Sequence, residues 1–325
     1  MSYAIFSAFE TGIIYAIMAL GVYLTFRILD FPDLTVDGSF VTGAAIAAIS
    51  IIAGVPPFLA SLYGFVAGFV AGMITGILHT KGKINALLSG ILMMIALYSI
   101  NLRIMGSSNI SLMSQETFFK QTQSFTSSTG IDSLLNSIFF FLGLNRSWGI
   151  ILVMILITLT IKFLLDFFLK TEVGLALRAT GDNPKMIRSF SANTDWLIIL
   201  GLGLSNGLVA FSGALIAQQG GFADAGMGVG LIIVGLASVI IGEALFGTKT
   251  IFRATLAIIG GAIVYRIVVT LALRADFLEA GDVRLITAVI VIAALITPKM
   301  IQKNREQKRR KQKRLKQAKE VQNHA

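Results

Sequence analysis

The chain has 325 residues, 55 % of them hydrophobic and 14 % charged, with a mean hydropathy of +0.80. That balance is too apolar for a soluble domain, where charged residues approach a quarter, and with no cysteine and only His79 and His324 it leaves no basis for disulfides, thiolate catalysis or a metal cluster. The formal charge of +10 is uneven: residues 302–325 hold ten Lys and Arg against Glu306 and Glu320, so the apolar body is nearly neutral.

About 20 apolar residues, rising 1.5 Å each, cross a hydrocarbon layer of roughly 30 Å. By that rule nine spans are predicted, at 4–26, 36–54, 57–79, 84–104, 148–169, 195–218, 227–247, 251–273 and 283–301. The fold class is therefore an all-α polytopic membrane protein, with a transmembrane domain over 1–301 and a basic tail over 302–325. Directly after a span, that tail reads as a cytoplasmic segment facing anionic lipid rather than a nucleic-acid arm. Residues 1–9 hold no Lys or Arg to form the charged head of a signal peptide. Alternating back from a cytoplasmic tail puts eleven basic residues at inner ends and five, Arg103, Lys120, Arg146, Arg274 and Arg284, outside. The acidic hairpin of Asp276, Glu279 and Asp282 also falls outside, and the N-terminus with it.

Glu10 in the first span and Arg266 in the eighth lie at nearly equal depth from the outer surface and are placed to pair. Such a pair would line or gate an outer vestibule, or simply lock two helices. Between the first two spans, Phe31 to Ala44 reads FPDLTVDGSFVTGA. Pro32 and Gly38 disfavour uninterrupted helix, and a break inside the bilayer would mark a transport route; the plainer reading is a cytoplasmic turn followed by a small-residue packing face. Asp33, Thr35, Asp37, Gly38 and Ser39 are the candidate path residues there.

Residues 106–147 are rich in Ser, Thr, Asn and Gln, with an apolar patch at Ile138 to Leu144, and read as an external loop carrying one short surface helix. Lys162 and Asp166, four apart, form a local helix pair. Residues 170–194 mix charge and apolar side chains at helical spacing, and Asp182-Asn183-Pro184 starts a second short helix through Phe190. Two short helices on the cytoplasmic face have the form of a docking element. Gly220 to Gly230, GGFADAGMGVG, repeats the acid, glycine and small-residue character of the first candidate segment but enters from the opposite side. This hints at inverted repeats, with Gly228 and Gly230 on the path. Glu243 sits at the inner end of its span.

Catalytic signatures are missing: there is no phosphate loop, no Gly-x-Ser-x-Gly and no His-Glu-x-x-His. The chain is thus not expected to be an enzyme, and its energy would come from an ion gradient or from a separate ATPase, which the 170–194 element favours.

Three stretches carry a family resemblance. Gly12 to Thr25 (GIIYAIMALGVYLT) with the Phe31 to Ala44 segment resembles the opening of the membrane permeases of branched-chain amino acid ABC importers. Lys170 to Asn183, continuing through Ser205 to Leu215, is similar to that family's T-x-x-G-x-x-x-R-A cytoplasmic segment and the small-residue helix after it. Val239 to Gly247 matches the third segment, and together they span about residues 10–300 in the expected order. Asp33, Asp37 and Glu243 depart from residues that are more often neutral or glycine in relatives.

The resemblance implies an ABC importer permease fold of about nine helices, some broken, with a cytoplasmic coupling helix. Leu175, Arg178, Ala179, Gly181, Asp182 and Asn183 would then contact the ATPase. It implies a bacterial cell membrane location and, as partners, an ABC ATPase dimer that binds ATP and Mg, an extracellular solute-binding lipoprotein and a second permease copy. No cofactor in this chain and no nucleic acid are expected. The solute would be an amino acid, branched-chain or aromatic, since a similar subset is associated with tryptophan or tyrosine. A nucleoside or monosaccharide permease is the alternative within this class, and a gradient-driven secondary transporter the alternative outside it.

Overall fold

The computed structural model describes residues 2–130, 148–189 and 192–273, with isolated positions 132, 133, 136, 285, 288, 289 and 292. In chain order the elements are α1 (Ser2–Tyr23) running into a π-helical turn (Leu24–Ile28), α2 (Thr35–Ile52), α3 (Pro57–Thr80), α4 (Ala86–Met105), β1 (Asn109–Ser111), α5 (Phe118–Ser128) and α6 (Trp148–Lys170). There follow α7 (Glu172–Asp182), α8 (Pro184–Ser189), α9 (Thr194–Gly220), β2 (Phe222–Asp224), α10 (Leu231–Phe246) and α11 (Ile251–Ala272). Seven helices are long and apolar enough to cross a membrane, namely α1 with its π-turn, α2, α3, α4, α6, α9 and α11, while α10 is shorter at 16 residues. Eight of the nine predicted spans are thus helices; the ninth, apart from four isolated positions, and the basic tail, the acidic hairpin and the Ile138 to Leu144 patch lie outside the described residues.

The centre of the bundle is α9 with α2 and α3, and glycine brings them together. On α3, Gly64, Gly68, Gly72 and Gly76 recur every fourth residue and so share one face. A Cβ at Gly68 would lie 2.5 Å from the Asn206 carbonyl oxygen, and one at Gly72 only 2.2 Å from that of Leu202. Gly43 of α2 and Gly213 of α9 are as tight, at 1.9 Å from the Ala210 oxygen and 2.0 Å from the Phe40 oxygen. Lipid tails are as apolar as leucine, so helices in a bilayer associate through close packing and hydrogen bonds, and a small-residue stripe is the usual means.

The two breaks do not fall quite where the residues suggested. Pro32 ends the first span, and residues 29–34 form the link, with Asp30 at φ 51°. Gly38, by contrast, lies inside the regular helix α2, where its missing side chain admits Leu97 of α4, whose Cβ and Cδ1 would be 2.9 Å from an added Cβ. The second break is longer. After α9 the chain forms β2, which pairs antiparallel with β1 through Asn109 with Asp224, Ile110 with Ala223 and Ser111 with Phe222. Ile110 and Ala223 are buried against Ala44, Ala45 and Ala48 of α2. Part of the polar 106–147 segment is therefore packed into the body, where strand pairing satisfies backbone groups that lipid could not. The expected short helix of that segment is α5.

Basic residues gather at one end of the bundle, the end expected to be the inner one. Gly181 of α7 sits against Ile28, and the Phe31 and His79 rings at the ends of α1 and α3 are 5.1 Å apart. Arg27, Lys81, Lys170, Arg178 and Arg188 gather around this end, as the charge rule requires of a cytoplasmic face.

Candidate translocation pathway and coupling face

The Asp33 carboxylate is fully buried in a network that joins α2, α3 and α9. Its Oδ1 accepts the Thr35 N–H at 2.9 Å and its Oδ2 accepts the Asn206 Nδ2–H at 2.7 Å. Ser39 Oγ donates to Asn206 Oδ1 at 2.7 Å, and the Thr35 and Thr75 hydroxyls are 2.9 Å apart. Burial pushes the Asp33 carboxyl above its ordinary range, an effect that the hydrogen bonds from Thr35 and Asn206 only partly offset. Three candidate path residues, Asp33, Thr35 and Ser39, thus hold helices together. Asn206 at the centre was not foreseen; a polar amide amid a small-residue helix is the signal that marks it.

Asp37, one turn on, faces the other way. Its Oδ2 accepts the Gly230 N–H and its Oδ1 the Ile232 N–H, each at 2.8 Å, so it caps the start of α10 from a neighbouring helix. A helix N-terminus offers unpaired N–H groups and the positive end of its dipole, which favours a carboxylate there. Gly230 has φ 83°, and a Cβ at Gly228 would lie 2.1 Å from the Asp37 carbonyl oxygen, so both glycines are required by the approach. The two candidate segments therefore meet. Around them is a cavity of about 330 Å³ lined by Asp37, Gly38, Val41, Tyr98, Asn101 and Gly228 among others. Asn101 donates to the Gly38 oxygen at 3.2 Å, while its buried Oδ1 has no hydrogen-bond partner among the described residues. α10 itself spans about 24 Å at 1.5 Å per residue, from this cavity to the inner end.

A second cavity, of about 410 Å³, lies between α1, α9 and α11 and holds Ser7, Glu10, Thr11, Tyr15, Gln219 and Arg266. Glu10 Oε1 accepts from Gln219 Nε2 at 2.8 Å; Arg266 Nε donates to Thr11 Oγ1 at 3.4 Å, and its Cζ stands 4.8 Å over the Tyr15 ring. Tyr15 is in turn stacked on Phe40 at 6.1 Å. Glu10 and Arg266, expected to pair, line one cavity, where the bonds described run from Gln219 to Glu10 and from Arg266 to Thr11. A third cavity, of about 580 Å³ between α3, α6 and α9, is lined by apolar side chains such as Phe65, Leu164 and Leu208.

At the inner end α7 is two-faced. Thr171 caps it by accepting the Gly174 N–H at 3.3 Å. Gly174, Leu177 and Thr180 are buried, and a Cβ at Gly181 would lie 2.0 Å from the Ile28 carbonyl oxygen, so these residues seat the helix. Leu175 is 51 % exposed, Asp182 and Asn183 are exposed, and Arg178 and Ala179 are half-buried. Beside the seat, Arg27 Nε donates to Glu243 Oε1 and Oε2 at 2.9 and 3.2 Å, and Arg27 Nη2 adds a bond to Oε2, which joins α1 to the end of α10. Lys162 Nζ meets Asp166 Oδ2 at 2.6 Å, fully buried, with Thr255 donating to Asp166 Oδ1 at 2.7 Å. This local pair also anchors α11.

A bundle of seven long apolar helices and one shorter one, with a two-faced helix seated across one end, defines a multi-pass permease of the cytoplasmic membrane. Residues 4–296 match the family described as the permease component of the branched-chain amino acid transport system, and the chain belongs to that family. It is 42 % identical over 291 residues, 90 % of each chain, to a tyrosine transport system permease protein of Clostridioides difficile (strain R20291). It is 35 % identical over 240 residues to an uncharacterized protein, RP368, of Rickettsia prowazekii (strain Madrid E), covering 74 % of this chain and 77 % of that one. No solved structure matches.

Proposed function

We propose that this chain is the membrane subunit of an ATP-driven importer for an aromatic amino acid, tyrosine foremost. Two copies form the pathway, an extracellular solute-binding lipoprotein delivers the solute, and a dimeric ATPase that binds ATP and Mg drives the cycle from below. This chain holds no cofactor and hydrolyses nothing itself. The substrate reading is supported by the identity to the tyrosine permease. The coupling reading is carried by the two-faced helix α7, with its glycines against Phe168 and Ile28 and with Leu175, Asp182 and Asn183 turned outward.

A push on such a helix has a short path into the bundle. Gly181 rests on Ile28, Arg27 on the preceding position bonds Glu243, and α10 carries the displacement up to Asp37 at the cavity. Transport is then alternating access, with closure of the ATPase dimer moving α7 and α10 following. Arg178→Glu and Asp182→Arg should each uncouple, cutting tyrosine uptake by about tenfold or more while ATP is still hydrolysed. Unchanged uptake in both variants, or crosslinks from position 178 that reach no ATPase chain in a working assembly, would overturn the coupling reading. Uptake of a nucleoside or sugar in place of any amino acid would overturn the substrate reading.

A further inference from the structure

Of the described cavities, the one beside the start of α10 has an unanswered polar group in its wall. Asn101 of α4 is 1 % exposed; its Nδ2–H donates to the Gly38 oxygen at 3.2 Å, and its Oδ1 has no hydrogen-bond partner among the described residues. Buried polar atoms are nearly always hydrogen-bonded, because a stranded acceptor has lost its water and gained nothing, so an exception calls for a group that completes it. The 580 Å³ cavity offers nothing comparable: its one hydroxyl, Thr160, bonds the Leu156 oxygen of its own helix at 2.7 Å.

Tyr98, one turn before Asn101, lines the same cavity with Val41, Met94 and Val229. It is 50 % exposed and makes no hydrogen bond among the described residues, although as the thirteenth of the 20 residues of α4 it lies only about 4 Å along the axis from the helix midpoint. Tyrosine in a span ordinarily sits at the interface, where its hydroxyl is hydrated. An unbonded phenol near mid-span marks a space that a partly polar ligand fills rather than lipid. The one charged side chain in this wall, Asp37, is answered, since its two oxygens hold the N–H groups of Gly230 and Ile232 at the positive end of α10. A volume of about 330 Å³, within the roughly 300–1,000 Å³ range of small-molecule sites, thus presents apolar surface, an aromatic ring and one neutral acceptor. These suit a ring that carries a hydrogen-bond donor; an ammonium or carboxylate would lose its hydration there with no free counter-charge to meet it.

We propose that the cavity between α2, α4 and the start of α10 receives the side chain of the transported amino acid, with a phenol hydroxyl donating to Asn101 Oδ1 and the ring packed against Tyr98 and Val41. This site rests on the aromatic amino acid reading above and adds a specificity-determining residue within the permease. Asn101 sorts hydroxylated from plain aromatic rings after the binding protein has released the solute. A site built around a substrate hydroxyl rejects the analogue without it by up to about 10⁴–10⁵-fold, because its buried partner is then stranded. The same wall ends at the Asp37 cap of α10, so the side chain is read where the bundle moves.

The test is uptake of radiolabelled amino acids into proteoliposomes that hold the whole importer, with permease, ATPase and solute-binding protein, each solute at a concentration that saturates the binding protein. On the native protein, 4-amino-L-phenylalanine, which keeps a donor on the ring, should enter at a rate close to that of L-tyrosine. L-phenylalanine and O-methyl-L-tyrosine, which lack one, should each be about tenfold slower or more. Asn101→Leu, similar in size but without an acceptor, should lower the ratio of tyrosine to phenylalanine rates by about tenfold or more, an effect that a purely structural role would not produce. An equal fractional change for all four solutes would mean that Asn101 only ties α4 to α2 and would overturn the proposal. O-methyl-L-tyrosine imported as fast as tyrosine by the native protein would overturn it even where the variant fails to assemble. A reconstituted importer that takes up no aromatic amino acid would defeat the reading above first, and this site with it.

Discussion

On the side of α2 that faces α3 and α9, main chains approach until a single methyl group would clash, and Asp33, Ser39, Thr35, Thr75 and Asn206 close every gap with hydrogen bonds. On the side that faces α4 and α10, a cavity of about 330 Å³ opens beside the contacts of Gly38 with Leu97 and of Asp37 with Gly228, and the Asp37 carboxylate holds the tip of the shorter helix α10. Asp33 and Asp37 are one turn apart and chemically identical, yet one locks a seam and the other bridges an opening. The difference teaches where movement is cheap. The first seam is bistable only by unpacking main chain from main chain, whereas the second needs two N–H bonds to shift and has an empty space beside it.

The hardest blow to this contrast is a bulky side chain in the tight seam. Gly72→Leu should cost about 3 kcal/mol, through overpacking against the Leu202 carbonyl, and should lower the thermal midpoint of the purified protein by several degrees. A variant as stable as the native chain would show that the seam is not close-packed. Next in size, Asp37→Ala strands the Gly230 and Ile232 N–H groups and should cost about 1–3 kcal/mol. Hydrogen exchange should then speed up at residues 228–234 while α9 stays protected; equal protection in both proteins would deny Asp37 its capping role.

The smallest effect is a pH slope. Burial raises the Asp33 pKa in the folded chain, so the folded state keeps this proton at pH values where the unfolded chain, releasing it near about 4, has lost it. Through this group, stability is greatest below that unfolded value and declines as pH rises through the raised folded value. Asp33→Asn, which cannot ionise, should flatten the slope of thermal midpoint against pH; a variant with the native slope would locate the titration elsewhere.

Much of this architecture is legible in residue order. Eight predicted spans, the Pro32 break, the paired short helices after residue 170 and the depth match of Glu10 with Arg266 all follow from hydropathy, helix chemistry and rise per residue. The two acid and glycine segments were also recognisable as partners, because both break the apolar pattern next to a span. Less visible were the links between distant positions. Glu243 bonds Arg27, 216 residues away, and β1 pairs with β2 across more than 100 residues of chain, though neither segment has the alternation of a strand. Nothing in the local sequence ties Asn101 or Asn206 to a partner; helix packing turns one toward a cavity and the other toward Asp33.

What the sequence by itself determined was the membrane class, the positions of the described spans and the places where helix could not continue. These are local consequences of burying about 20 apolar residues and of proline lacking an N–H. Only the tertiary structure decided which of two equivalent aspartates braces the bundle and which caps α10, and that Glu10 and Arg266 open onto a shared chamber. Such roles depend on which side chains arrive from other helices, and a stretch of chain carries no record of its distant neighbours until packing brings them within hydrogen-bond reach.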